Sequence, residues 1–199
     1  MYFLTLAYGP GVTHVALSGS VMETVRFSGR RFRGHGQTMT EFALVVPVLL
    51  VLIMGVLDGS LLMFSVGTSR YAASEGTRVG SQLGNAASSD SQILAVIRSN
   101  VATTRLFDVT EVDIYKLNQD GNGNLTADPL YFNRYALDGT PMTSPEPWPP
   151  AKRNVGNGTS DFIGVTINYT YNWKAGLFAA LGPVKTTAVS WVRLEPQSY

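Results

Sequence analysis

The pattern of apolar and polar positions divides the chain at one long uninterrupted run. From Phe42 to Leu57 no residue is charged, and after Asp58-Gly59-Ser60 the apolar character resumes as Leu61-Leu62-Met63-Phe64. A helix over these 23 residues would span roughly 34 Å, enough to cross a hydrocarbon core of about 30 Å. A buried core helix is usually amphipathic and shorter, so the pattern predicts a transmembrane helix over 37–64. Small residues with Ala72, Val79 and Leu83 at helical spacing extend the same helix through Ser65–Ala86, with Glu75 three before Arg78. Ser89-Asp90-Ser91-Gln92 reads as a capping box opening a second helix. Its apolar face is Ile93, Val96, Ile97 and Val101, and it should end near Thr104.

Beyond that point the period changes from helical to alternating. Val109–Lys116 and Pro129–Tyr135 read as strands. Phe162–Trp173 places Val165, Ile167, Tyr169 and Tyr171 on one face, Gly176–Leu181 is a short apolar turn, and Thr186–Leu194 is a strand expected to pair antiparallel with 162–173. Five prolines within Gly139–Gly158 predict a long exposed loop, with Trp148 read as packing back on its own domain in preference to meeting a partner. The fold class is therefore α+β: a long amino-terminal transmembrane helix continuing into a small domain with a second helix and an antiparallel sheet. The organisation is a basic leader at 1–36, the transmembrane helix at 37–64 and an exported domain at 65–199. Residues 1–21 are mildly apolar and uncharged, and Met22 is the expected translation start.

Composition narrows the chemistry. Net charge is +1 over 199 residues, so no polyanionic partner such as nucleic acid is implied. Cysteine is absent, and both histidines, His14 and His35, precede residue 37. A chain trimmed after Gly36 thus has no thiol or imidazole for nucleophilic or metal chemistry, and neither an enzyme nor a cofactor is expected. Asn118, Asp120 and Asn122 with Gly123 mimic the start of a calcium loop. Position one is Asn and position twelve would be Pro129, so Asp120 and Asn122 are weak metal candidates and a hairpin turn is the preferred reading.

Charge is sorted along the chain. Arg26, Arg30, Arg31 and Arg33 face only Glu23 before residue 37, whereas the remainder carries eleven bases against thirteen acids. The basic flank holds the amino terminus in the cytoplasm and sends 65–199 outward. A cleavable signal competes, but the run is long for an h-region and lacks a clean small-x-small cleavage site; the twin-arginine resemblance of Arg30-Arg31-Phe32 fails there too. Glu41 stands directly before the apolar run, and Asp58 near its outer boundary, where it is read as solvated. A cut after Gly36 gives Gln37 a free amine, and Gln37 and Glu41, four apart, share a helix face. Charge complementarity at the helix start is the plainer role for Glu41. Pro47 removes one helical hydrogen bond, and Gly55 and Gly59, four apart, could let two membrane helices approach closely.

Gly36-x-x-x-x-Glu41-Phe42 after a basic leader and before an apolar helix resembles the cleavage pattern of type IV pilin-like proteins. More narrowly, RGHGQTMTEFALVVPVLLVLIMGVLDGSLLMF from Arg33 to Phe64 and Ala72-Ala73-Ser74-Glu75-Gly76-Thr77-Arg78 resemble the TadE-like pseudopilins of the Flp/Tad pilus, as does the closing Arg193-Leu194-Glu195-Pro196. The resemblance implies cleavage between Gly36 and Gln37 by a prepilin peptidase, Glu41 as the fifth mature residue meeting an amine during assembly, and Phe42 as the sixth. It also implies as partners the major Flp pilin, other TadE-like or TadG-like proteins, and the inner-membrane assembly platform with its ATPase, in a single-pass cytoplasmic-membrane protein that could enter an extracellular pilus. The alternative is an exported or surface-anchored binding protein whose apolar run is a permanent anchor or conventional signal, with the Trp148 loop as its contact surface.

Overall fold

A computed structural model describes residues 7–9, 12–14, 35–102, 104–176 and 178–196, with side chains from residue 38 onward. Met22 and the leader arginines Arg26, Arg30, Arg31 and Arg33 lie outside the described residues. Two compact units are present, 1–49 and 50–199. In the first, a short antiparallel hairpin joins β1 (Ala7–Gly9) and β2 (Val12–His14).

Helix α1 runs from His35 to Leu83 without a break at Pro47. Gly84, at φ +53°, ends it in the left-handed conformation that glycine adopts without steric cost, and its amide bonds back to the Gly80 carbonyl at 2.9 Å. Helix α2 (Ser89–Ala102) follows. Its buried apolar face is Ile93, Leu94, Ile97 and Val101, so Leu94 takes the buried place expected of Val96, which is half-buried. The capping box does not form as read. The Gln92 amide donates to the Ser88 carbonyl at 3.0 Å, and the Ser89 hydroxyl accepts from Arg153 Nη1 at 3.0 Å, drawn away from the helix end by a buried cation.

Four antiparallel strands form a sheet in the order β4-β3-β5-β6: β3 (Phe107–Gln119), β4 (Leu125–Tyr135), β5 (Phe162–Tyr171) and β6 (Val184–Arg193). β3 is longer than its alternation suggests because two bulges, between Val109 and Glu111 and between Tyr115 and Leu117, break the period of two. The predicted face of β5 is buried throughout, and Ile163 joins it. Against this face lie α2 and the second half of α1, sharing one core with Val112, Ile114 and Ala188. On the opposite face Tyr115 stacks on Phe132 at 4.8 Å and covers Gly164, where an added Cβ would lie 2.6 Å from the tyrosine ring.

The turn between β3 and β4 is held by Asp120, whose Oδ1 accepts the amides of Asn122 and Asn124 and whose Oδ2 accepts Asn124 Nδ2, all within 2.9 Å. These donors hold the Asp120 carboxyl below the usual range. No group of three or more metal-ligating side chains occurs among the described residues.

The proline-rich segment is exposed over much of its length, and Trp148 packs back on its own domain as expected. Trp148 is 1% exposed, and its backbone is clamped by Asn133, whose Oδ1 accepts the Trp148 amide at 2.8 Å while its Nδ2 donates to the Trp148 carbonyl at 2.7 Å. Arg153, under the Trp148 ring, pairs with the buried Asp90, which also accepts from the Tyr135 hydroxyl at 2.8 Å. A charge pair out of water depends on its remaining hydrogen bonds; here α2 and β4 supply most of them, Ser89 to Arg153 and Asn133 and Tyr135 to Asp90, while the buried Arg153 Nε has no partner among the described residues.

Candidate functional site: the amino-terminal helix

The side chains of α1 divide into two sets by what surrounds them. Leu50 to Leu57 is a run of large apolar residues of which only Gly55 is less than exposed, and Met63 and Phe64 extend the exposed set. A globular surface in water does not carry such a stripe, because each exposed leucine forgoes about 1.5–3 kcal/mol of burial. Among the described residues one helix, over Thr38–Leu83, is long and apolar enough to cross a membrane. From Ser65 onward the helix is written in small residues. Ser65, Ser69, Ala72, Ala73, Gly76, Thr77, Gly80 and Ser81 are buried. At Gly80 a Cβ would lie 2.9 Å from Ile93 and 3.0 Å from Ile163, so only glycine lets the helix lie this close to α2 and β5. Thr77 Oγ1 bonds Ser190 Oγ at 2.9 Å, Ser81 Oγ donates to the Arg193 carbonyl at 3.0 Å, and the Glu195 amide donates to the Ser81 carbonyl at 3.1 Å. The Ala72–Arg78 stretch thus reaches the sheet through Thr77, with the Glu75–Arg78 ion pair on the water side.

The residues read as a processing and assembly site all lie at the start of α1. Gly36 and Gln37 fall in its first turn, where the backbone alone is described. Glu41 and Phe42 follow on the same continuous helix, both exposed. Four positions separate Gln37 from Glu41, which in a helix places their Cβ atoms about 5–6 Å apart. Pro47 is exposed within the helix. Gly55 and Gly59 differ: a Cβ on Gly55 would touch the Phe178 ring at 3.5 Å, whereas Gly59 has nothing within 4 Å. Close approach at Gly55 is therefore used within the chain.

Asp58 corrects the sequence reading most sharply. Its side chain is not solvated; the residue is 0% exposed. Oδ1 accepts the backbone amides of Lys174 at 3.0 Å and Ala175 at 3.1 Å, and the Tyr171 hydroxyl reaches the Asp58 carbonyl at 3.4 Å. A carboxylate within an apolar run is costly unless hydrogen-bonded. The β5–β6 connection supplies those bonds and in return is fixed to α1. The signal was present as a lone acid inside an apolar run, but its partners are backbone amides more than a hundred residues away, which no local pattern reveals.

Both the lipid-compatible surface and the small-residue stripe thus occur on one helix downstream of the Gly36–Phe42 pattern. Residues 36–78 match the family of TadE-like proteins. The TadE-like segment begins at the glycine before the expected cut and ends at Arg78, covering Glu41, Phe42, Pro47, Gly55 and Gly59 and most of the buried stripe. The match suggests involvement in Tad pilus assembly. No curated protein and no solved structure matches the chain.

Proposed function

We propose that this protein is a minor pseudopilin or assembly component of a Tad (Flp) type IV pilus, inserted with its amino terminus in the cytoplasm, cut between Gly36 and Gln37 by prepilin peptidase, and displaying residues 65–199 outside. The observation that carries this reading is the exposed apolar stretch Leu50–Leu57 on the same helix as the small-residue stripe seated in the folded domain. One helix face serves the domain while the other is left for lipid or for neighbouring helices. The bilayer stores the subunit; moving it into a bundle of pilin cores exchanges lipid contacts for helix contacts of similar polarity, so direction is set by specific pairs. Glu41 is the acidic member of such a pair, and the Gln37 amine, its own or a neighbour's, is the basic one. Prepilin peptidase, the major Flp pilin, other TadE-like or TadG-like proteins and the inner-membrane platform with its ATPase are the partners this role requires.

Intact-mass measurement of protein extracted from native membranes tests the reading. A mature chain beginning at Gln37 supports processing; one retaining Arg26–Arg33, or beginning after residue 58, defeats it. Glu41→Ala should be cleaved normally yet assemble poorly, and unchanged piliation in that variant would remove the role given to Glu41. In the rival reading, a surface-anchored binding protein, the contact would fall on the exposed parts of the Trp148 loop, since the Trp148 side chain itself is buried.

A further inference from the structure

Loops that face water carry polar side chains, but most of the β5–β6 connection does not. From Ala175 to Pro183 the sequence Ala-Gly-Leu-Phe-Ala-Ala-Leu-Gly-Pro contains no polar side chain. Its tip, the single 3-10 turn Ala179–Leu181, is exposed, with Leu181 at 73%. Phe178 packs against Trp173 at 5.4 Å and touches the Gly55 face of α1, while Asp58 holds the amides of Lys174 and Ala175. The connection is therefore pinned to the helix at the level of residues 55–58.

Exposed apolar side chains continue along α1 on both sides of that level, Leu50–Leu57 before it and Met63 and Phe64 after it. Phe64 lies six residues past Asp58, or about 9 Å along the axis. Any bilayer that covers the exposed helix out to Phe64 also reaches the level of the connection, at a depth comparable with the roughly 5–10 Å at which interfacial segments lie. We propose that the 172–183 connection is a membrane-interface anchor whose Ala179–Leu181 tip enters the leaflet on the side of the folded domain. Trp173 stands at the headgroup level with its indole N–H satisfied by the Gly182 carbonyl at 2.8 Å, and the exposed Lys174 faces lipid phosphate. Asp58 is then a strut that sets how deep the domain sits. This inference rests on the reading of α1 as a membrane span.

The absence of cysteine allows single-site labelling. L181C, L130C and L52C, each carrying an environment-sensitive fluorophore, are reconstituted as full chains in phosphatidylcholine–phosphatidylglycerol vesicles containing lipids with spin-labelled acyl chains. Leu130, 75% exposed on β4, matches Leu181 in exposure and serves as the water-side reference. The proposal expects L181C to be quenched nearly as strongly as L52C and about twofold or more beyond L130C. If L52C is quenched while L181C behaves like L130C, the span stands and the anchor is overturned. If L52C is itself unquenched, the span fails and the anchor with it. Blue-shifted L181C emission indifferent to the lipid quencher assigns the tip to a second copy of the chain and also overturns the proposal.

Discussion

Residues 50–64 and 65–81 are successive parts of one helix, yet they are built from different amino acids. The first part is Leu, Val, Ile, Met and Phe turned outward; the second is Gly, Ala, Ser and Thr turned inward. Lipid is a solvent that accepts any apolar shape, so size is favoured there and fit is not selected. A folded domain is close-packed, so the helix that lies on it gives up side-chain volume to bring its backbone near α2 and β5. Large apolar side chains therefore mark the surface turned away from the folded domain, and their replacement by small residues after Phe64 marks where the helix lies closest on α2 and β5.

The largest expected effects break this division from either side. Leu52→Asp should cost about 3 kcal/mol in membrane insertion while leaving the folded domain intact, read as loss of membrane-fraction protein with unchanged near-UV circular dichroism of the detergent-solubilised remainder. Gly80→Val should do the converse. It drives methyl groups into Ile93 and Ile163 and should lower domain stability by about 2–3 kcal/mol in denaturant unfolding, with insertion unaffected. If Gly80→Val unfolds at the wild-type denaturant concentration, the stripe is not close-packed and the contrast collapses.

A smaller effect asks whether environment governs charge as it governs size. Asp113, on the outer face of the sheet, is pushed up to about 7 by burial and by the neighbouring Glu111. Its unfolded value is near 3.8, so the folded state holds the proton more tightly. The stabilisation is complete below about pH 4 and is lost as pH rises through 7. Between pH 5 and pH 8 the domain should lose on the order of 2 kcal/mol, allowing for the partial relief given by Asn168 and Arg134. Asp113→Asn, which keeps an acceptor for Asn168 Nδ2, should flatten that slope in unfolding curves taken at the two pH values. The smallest effect belongs to Gly67→Ala. Nothing lies within 4 Å of a Cβ there, so the change should raise stability by up to about 1 kcal/mol through helix propensity alone, measurable as a modest rise in Tm.

What the sequence made legible follows the range of the interactions involved. Long apolar runs, the Ile93-Ile97-Val101 spacing of α2, the alternation of β5 and the Asp120 turn are written in neighbouring residues, and each is found in the fold. The bulges in β3 hid its length because one added residue inverts the alternation on which strand recognition depends. Asp58, Asp90 and Arg153 were illegible as a class. Each is a charge whose burial is tolerated only through partners 43 to 117 positions away, Asn133, Arg153 and Tyr135 for Asp90, Lys174 and Ala175 for Asp58. Trp148 was read as packing inward, but the asparagine that clamps it gave no sign. At the start of α1, Gly36, Gln37, Glu41 and Phe42 lie on one continuous helix.

The bonds from Ser81 to Arg193 and Glu195, together with Thr77 to Ser190, tie the last strand to the helix across its final two turns. The sheet and the upper helix are consequently one lever. Turning the shaft by a single residue position, about 100°, would swing the β-sheet through the same angle around it. Torque applied to the sheet would in this way reach the helix to which the sheet is keyed.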